Sequence, residues 1–212
     1  MLFQTVTNGS SELLSNIASS VVSMIFNMQL LKFAGEDGVS AYGIIMYASF
    51  IFAAVFIGYA IGVAPIVSYN YGAQNRDELK NVYRKSILIN LVAGTVMTIL
   101  SVSLARPLSS IFVSYDANLL DMTTLGMRIF SVSFIFMGFN IFTSSFFTAL
   151  NNGLISAIVS FSRTLVFQVA AVMLLPMAWG LTGIWCSVIV AELLAFVMDI
   201  VFLATNKKKY GY

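Results

Sequence analysis

Two carboxylates and a guanidinium stand in apolar surroundings near the C-terminal end of this 212-residue chain. Glu192 and Asp199 are spaced i, i+7 in "WCSVIVAELLAFVMDIVF", and Arg163 interrupts the apolar run before it, in "FSRTLV". On a helix that spacing puts both acids on one stripe, shared with Trp185. At mid-membrane depth an ionisable side chain costs roughly 2.5–3.5 kcal/mol on insertion scales, so each must have a partner or a task. Counted from the same membrane face, Arg163 lies roughly 14 Å deep, Glu192 roughly 20 Å and Asp199 roughly 9 Å. Arg163 therefore falls between the two acids on an antiparallel neighbour. The chemistry open to such a set is an ion pair or triad that fixes helix register, or a route for proton or cation coupling. Asp199, the shallowest, has a third option, reaching to lipid headgroups.

A second polar group lies near the N-terminus, in "GSSELLSNIASSVVSMIFN". Glu12 and Asn16, at i and i+4, share a helix face, and Asn27 lies deeper. A carboxylate beside amide oxygens is a hard-oxygen set suited to Na⁺, or a group that titrates when partly buried. Glu12 in a first helical turn also favours the helix dipole, which is a purely structural role. Asn140, in "FMGFNIFTSS", is a further cavity candidate, though polar residues there commonly hydrogen-bond between helices. The 18 phenylalanines and 11 methionines offer soft apolar walls for varied hydrophobic ligands, or ordinary packing and lipid contact.

Composition sets the surroundings of these residues. Hydrophobic residues make up 59% of the chain and charged ones 9%, against roughly a quarter charged in soluble domains. Mean hydropathy is +0.91. So few charges cannot cover a water-soluble surface, which makes the chain an all-α integral membrane protein with the lipid bilayer as its first partner. Six stretches have the roughly 20 apolar residues a span needs: about 10–33, 40–64, 86–105, 124–149, 154–176 and 181–205. Stretches such as "LVAGTVMTILSVSLA" are too long and continuous for the alternating strands of a membrane barrel. Lys and Arg concentrate in 70–85 and in "NKKKYGY", which by the positive-inside rule puts both termini in the cytoplasm. Trp179 suits an interfacial position, and Trp185 either an interfacial or a packed one.

Several classes of chemistry are absent from the sequence. Without histidine there are no His-based triads or His-containing metal sites, and no GK[ST] P-loop occurs, so neither enzyme nor ATP-driven pump is expected. No cofactor, metal or nucleic-acid partner is implied, and any transport the chain supports must use an ion gradient or an engine on another chain. Cys186 stands alone, with no disulfide partner in the chain. No short apolar core follows a basic start, so no signal peptide is expected.

Between the second and third spans lies "APIVSYNYGAQNRDELKNVYRKS". Pro65 and Gly72 allow the second span to bend or end. The segment about 74–85 then reads as an amphipathic stretch at the cytoplasmic interface, with Leu79, Val82 and Tyr83 on one edge and Lys80, Arg84 and Lys85 free for anionic headgroups, or as a solvated loop that obeys the positive-inside rule. This segment resembles the region after the eighth helix of multidrug and toxic compound extrusion transporters. "FNMQLLKFAG", "SFFTALNNG", "FSRTLV" and "WGLTGIWCSVIVAELL" agree in the family's order, so the resemblance runs over nearly the whole chain.

What the resemblance implies is one six-helix lobe, the second, of a twelve-helix transporter whose two lobes alternate around a central cavity. Residues 1–212 then form a single transmembrane lobe in the cell membrane, moving small hydrophobic or cationic substrates against H⁺ or Na⁺. Several branches of the family carry an acidic coupling residue about seven positions after a glycine on the first of these helices; here that offset from Gly9 lands on Asn16, with Glu12 one turn earlier. The missing first lobe is encoded separately, replaced by a second copy, or lost by truncation. A lobe of a lipid-linked glycan flippase and a non-transporting membrane subunit or fragment stay open as alternatives. The topology is checked by thiol labelling in a Cys186→Ser background: Lys208→Cys and Asp37→Cys are expected to react from opposite sides of the membrane, and reaction of both from one side removes the assignment.

Overall fold

Apolar sequence in lipid leaves the backbone no hydrogen-bond partner but itself, and the chain answers with helix almost throughout. The structure, a computed structural model, describes the chain from Leu2 to Tyr212 and its side chains from Ile17. In order it forms α1 (Leu2–Gly72), α2 (Arg76–Phe112), α3 (Ala117–Ser131), α4 (Phe134–Ala149), α5 (Gly153–Phe161), a π-helical segment (Ser162–Phe167) and α6 (Gln168–Tyr210). Among the described residues, Ile17–Gly72, Arg76–Phe112 and Gly153–Tyr210 are continuous helical stretches long and apolar enough to cross a membrane; the bent pair α3–α4 adds a fourth.

Two of these stretches are not straight. At Gly35 the backbone leaves helical values (φ 64°, ψ −154°). Phe26 and Tyr42, on either side, stack with ring centroids 5.1 Å apart; in a straight helix sixteen residues span about 24 Å. α1 therefore folds back on itself. α6 does the same at Gly180 (φ 55°, ψ −136°). There the Leu175 carbonyl lies where a side chain on Gly183 would begin. The far end of α6 returns to the start of α5, where Asn152 Nδ2 donates to the Tyr210 hydroxyl at 2.7 Å.

The expected connections shrink accordingly. "FAGEDGVS" is helical apart from its glycine at 35, and α1 runs through Pro65 to Gly72. Residues 76–85 are not a separate helix but the first turns of α2, capped by the Asn75 side chain on the Glu78 amide. Their apolar edge faces protein: Leu79 is 1% exposed and packs with Val82 and Tyr83 in an aromatic cluster. The stretch expected as one span over 124–149 is broken between α3 and α4 by a 50° bend. α2 stitches this break: Thr98 Oγ1 donates to the Ser131 carbonyl at 3.1 Å, the Ser101 and Ser131 hydroxyls meet at 2.6 Å, and Gly94 leaves room for the Phe134 carbonyl.

Two apolar cores result. One gathers Phe26, Tyr42, Ile45, Phe134 and Trp185, with Trp185 2% exposed against Gly126, so it is packed rather than interfacial. Trp179, beside the Gly180 turn, is 59% exposed. The other core gathers Phe142, Phe146, Phe147, Tyr210 and Tyr212. The segment read as a plain basic end is thus anchored. Tyr212 packs on Tyr83 and Phe146 at 4.7 and 4.9 Å, and its hydroxyl donates to the Leu203 carbonyl. Burial raises the phenol pKa of Tyr83 and Tyr212 above the tyrosine range, keeping both rings neutral. Outside the cores, Ile51, Ile61, Leu88 and Ile99 stay 60–69% exposed, as lipid-facing residues do.

No atom lies within 4 Å of a side chain placed on Gly35 or Gly180, so only their backbone conformation resists substitution. Gly35→Ala and Gly180→Ala are expected to cost about 1–3 kcal/mol each. Gly58→Ala, in ordinary helix with open space around it, should be neutral or stabilising. Thermal midpoints of the three variants in detergent check the contrast.

Candidate functional site

Arg163 is the second residue of the π-helical segment. One extra residue in a turn shifts the side chains beyond it around the axis, and such bulges recur at functional sites. From there Arg163 Nη1 donates to Glu192 Oε1 at 3.2 Å and Oε2 at 3.4 Å. Glu192, on the second arm of α6, has 4% of its side chain exposed, and Arg163 22%. Asn140 of α4 supplies the third member. Its Nδ2 donates to Glu192 Oε2 at 2.7 Å and to the Glu192 backbone carbonyl at 2.9 Å. One amide thus ties α4 to both the side chain and the backbone of α6. The Asn140 Oδ1 atom, also buried, has no hydrogen-bond partner among the described residues.

Asp199 sits apart. It is fully buried, and neither carboxylate oxygen has a hydrogen-bond partner among the described residues. Burial removes the option of reaching out to headgroups. The charges near enough to act on it are Arg163 and Glu192. With one guanidinium for two carboxylates, full ionisation would leave a net negative charge in the interior, a state of high cost.

Of the other sequence candidates, Asn27 is exposed and lines a recess of about 440 Å³ between the arms of α1, with Met24, Met28, Leu31 and Glu36. It touches neither Glu192 nor Arg163. Glu12 and Asn16 lie outside the residues whose side chains are described. Among the described residues no group of three His, Cys, Asp or Glu side chains gathers to hold a metal ion. Glu36, facing the same recess as Asn27, was not singled out by sequence reasoning. Neither was a run of hydroxyls on the α4–α5 seam: Thr148, Ser156, Ser144 and Ser160. The signal was present, since 144/148 and 156/160 are both spaced i, i+4.

Doubled-back apolar helices around a buried charge cluster define a polytopic helical membrane protein. The MatE family model matches residues 13–174. The chain belongs to the MatE family, whose members are transporters rather than enzymes. It is 23% identical over 201 residues to the multidrug export protein MepA of Staphylococcus saprophyticus, covering 94% of this chain and 44% of that protein. Among solved structures it is similar to a multidrug resistance MATE family transporter in an outward-facing conformation, with TM-score 0.87 and 21% identity over 97% of this chain and 48% of that one. An inward-facing conformation matches with TM-score 0.88 and 19% identity, over 95% of this chain and 47% of that one. The chain spans about half the length of the curated relatives it matches.

Removing one member of a desolvated pair leaves the other charge buried alone, at a cost of about 3–5 kcal/mol. Arg163→Ala is therefore expected to lower folded yield and thermal midpoint more than the double change Arg163→Met with Glu192→Leu. Equal or smaller loss in the single variant, in the same detergent screen, would show that the pair has no structural weight.

Proposed function

We propose that this chain is the C-terminal lobe of a secondary active multidrug exporter, exchanging H⁺ or Na⁺ for hydrophobic or cationic compounds. The observation that carries this reading is the match of 94% of the chain to under half of a multidrug export protein. The turns at Gly35 and Gly180, together with the bent α3–α4 pair, support a count of six spans in a single lobe over residues 1–212. The basic residues of 76–85 and Lys207–Lys209 lie near one another across the second aromatic core, which supports placing both on the cytoplasmic face of the cell membrane. What completes the cavity is a first lobe, in the same polypeptide or on another chain, or a second copy of this lobe. The recess of Met24, Met28 and Leu31, with Asn27 and Glu36 at its wall, has the soft apolar and acidic lining that an organic cation needs.

Coupling is assigned to Glu12 with Asn16 and Asn27 on the first arm of α1, and the polar network to Arg163, Glu192, Asp199 and Asn140. In a complete two-lobe assembly, Glu12→Gln is expected to abolish cation-dependent export while the protein stays folded. Uptake of ethidium into inverted vesicles under an imposed gradient measures it. Wild-type rates in that variant would move coupling to α6 or to the other lobe.

A further inference from the structure

Hydroxyls in membrane helices usually bond back to a carbonyl of their own helix, as Thr124, Ser131 and Thr143 do here. On the α4–α5 seam three serines behave differently. Thr148 Oγ1 meets Ser156 Oγ at 2.7 Å, Ser156 meets Ser144 at 3.1 Å, and Ser144 meets Ser160 at 2.5 Å. The hydrogen bonds of these serine hydroxyls run to one another or to Thr148 across the seam, forming a file of four. Its outer member, Thr148, also donates to the Ser144 carbonyl at 3.1 Å and must turn from it to pass a proton inward. Thr148 is exposed on the last turn of α4, and Ser156 is buried. The inner members of the file stop one turn short of the charge cluster. Ser144 follows Asn140 by four residues, and Ser160 precedes Arg163 by three. Both of those residues bind Glu192, and the buried Asn140 Oδ1 has no hydrogen-bond partner among the described residues.

We propose that this seam is a proton relay joining the membrane surface at Thr148 to the buried Glu192. A hydroxyl both donates and accepts, so each can take a proton on a lone pair and release its own to the next. One proton then moves the length of the file, and every hydroxyl ends unchanged but reoriented. The last step, from the inner serines to Glu192, is assigned to a water on the buried Asn140 Oδ1, an acceptor one helical turn from Ser144 that has no hydrogen-bond partner among the described residues. The charged groups facing Glu192 are Arg163 from the π segment and Asp199 from its own helix; α4 contributes only the neutral Asn140. A proton on Glu192 cancels the charge that holds Arg163, so proton arrival loosens the contact between the π segment and α6. The inference rests on the exporter reading and adds a proton site on α6 to the coupling group assigned to the first arm of α1.

The test uses this chain in lipid nanodiscs, following by infrared spectroscopy the carboxyl band that Glu192→Gln removes. After a downward pH jump, wild type is expected to gain that band. Ser144→Ala with Ser160→Ala should slow its appearance by about tenfold or more. Thr at both positions, keeping the hydroxyls, should restore the rate, and Ser145→Ala, whose hydroxyl bonds the Ala60 carbonyl outside the file, should leave it unchanged. An unaltered rate in the double alanine variant, or no band that depends on Glu192, overturns the relay. If the alanine variants do not fold, Ser160→Cys in a Cys186→Ser background decides. Rapid reaction with a small water-soluble thiol reagent supports a hydrated file, and protection from it overturns one. Ethidium export by the two-lobe assembly is scored separately: export with a failed relay removes the relay alone, and a working relay without export removes the exporter reading.

Discussion

Within hydrocarbon a peptide group that leaves its helix has no water to turn to, and this constraint governs where the chain bends. Reversals occur at Gly35 and Gly180, where glycine adopts a backbone conformation that other residues resist. The third departure, between α3 and α4, needs no glycine of its own because its free groups are taken up from outside. Thr98 bonds the Ser131 carbonyl, and Gly94 lets α2 approach the backbone of Phe134. Gly94 and Thr98 lie one turn apart on α2, so close approach and hydrogen bonding act at the same height. Helix–helix packing in membranes draws on such small and hydroxylated residues, since burial of apolar surface gains little when lipid is equally apolar.

The same scarcity of water shapes the charge cluster. Arg163 and Glu192 neutralise each other, and Asn140 takes up a remaining carboxylate site together with the carbonyl behind it. Three elements meet there: α4, the π segment and the second arm of α6. A contact that depends on charge neutrality is sensitive to a proton in a way that a leucine contact is not. Asp199, without a hydrogen-bond partner among the described residues, sits about two turns along the same stripe of the helix. The π segment, which carries Arg163, is a local departure of the kind that recurs at functional sites.

At the opposite extreme, the second core is held by rings rather than charge. Tyr83, Phe146 and Tyr212 stack in one group, and Tyr210 bridges to Tyr71 and, through its hydroxyl, to Asn152. The α1–α2 turn, the α4–α5 turn and the end of α6 are thus gathered at one end of the lobe. Aromatic pairs contribute beyond area alone, roughly 0.5–1.5 kcal/mol each, which suits an end where hydrocarbon thins into headgroups.

Hydropathy alone determined that the chain is helical and membrane-embedded, because no other arrangement satisfies a backbone in so apolar a sequence. Residue spacing placed Arg163, Glu192 and Asn140 as intramembrane polar candidates, since depth in a helix is linear in residue number. Tertiary structure decided which of them meet. Arg163 meets Glu192 and not Asp199, a choice that depends on how α4, the π segment and α6 pack and that leaves no mark in hydropathy. Likewise the amphipathic edge of 76–85 was legible as an edge, but whether it faced headgroups or Phe146 depended on the return of Tyr212, far away in sequence. The hydroxyl file was written in two i, i+4 repeats on separate helices. Only their packing in register, which no single-helix pattern encodes, turned four isolated hydroxyls into a connected one.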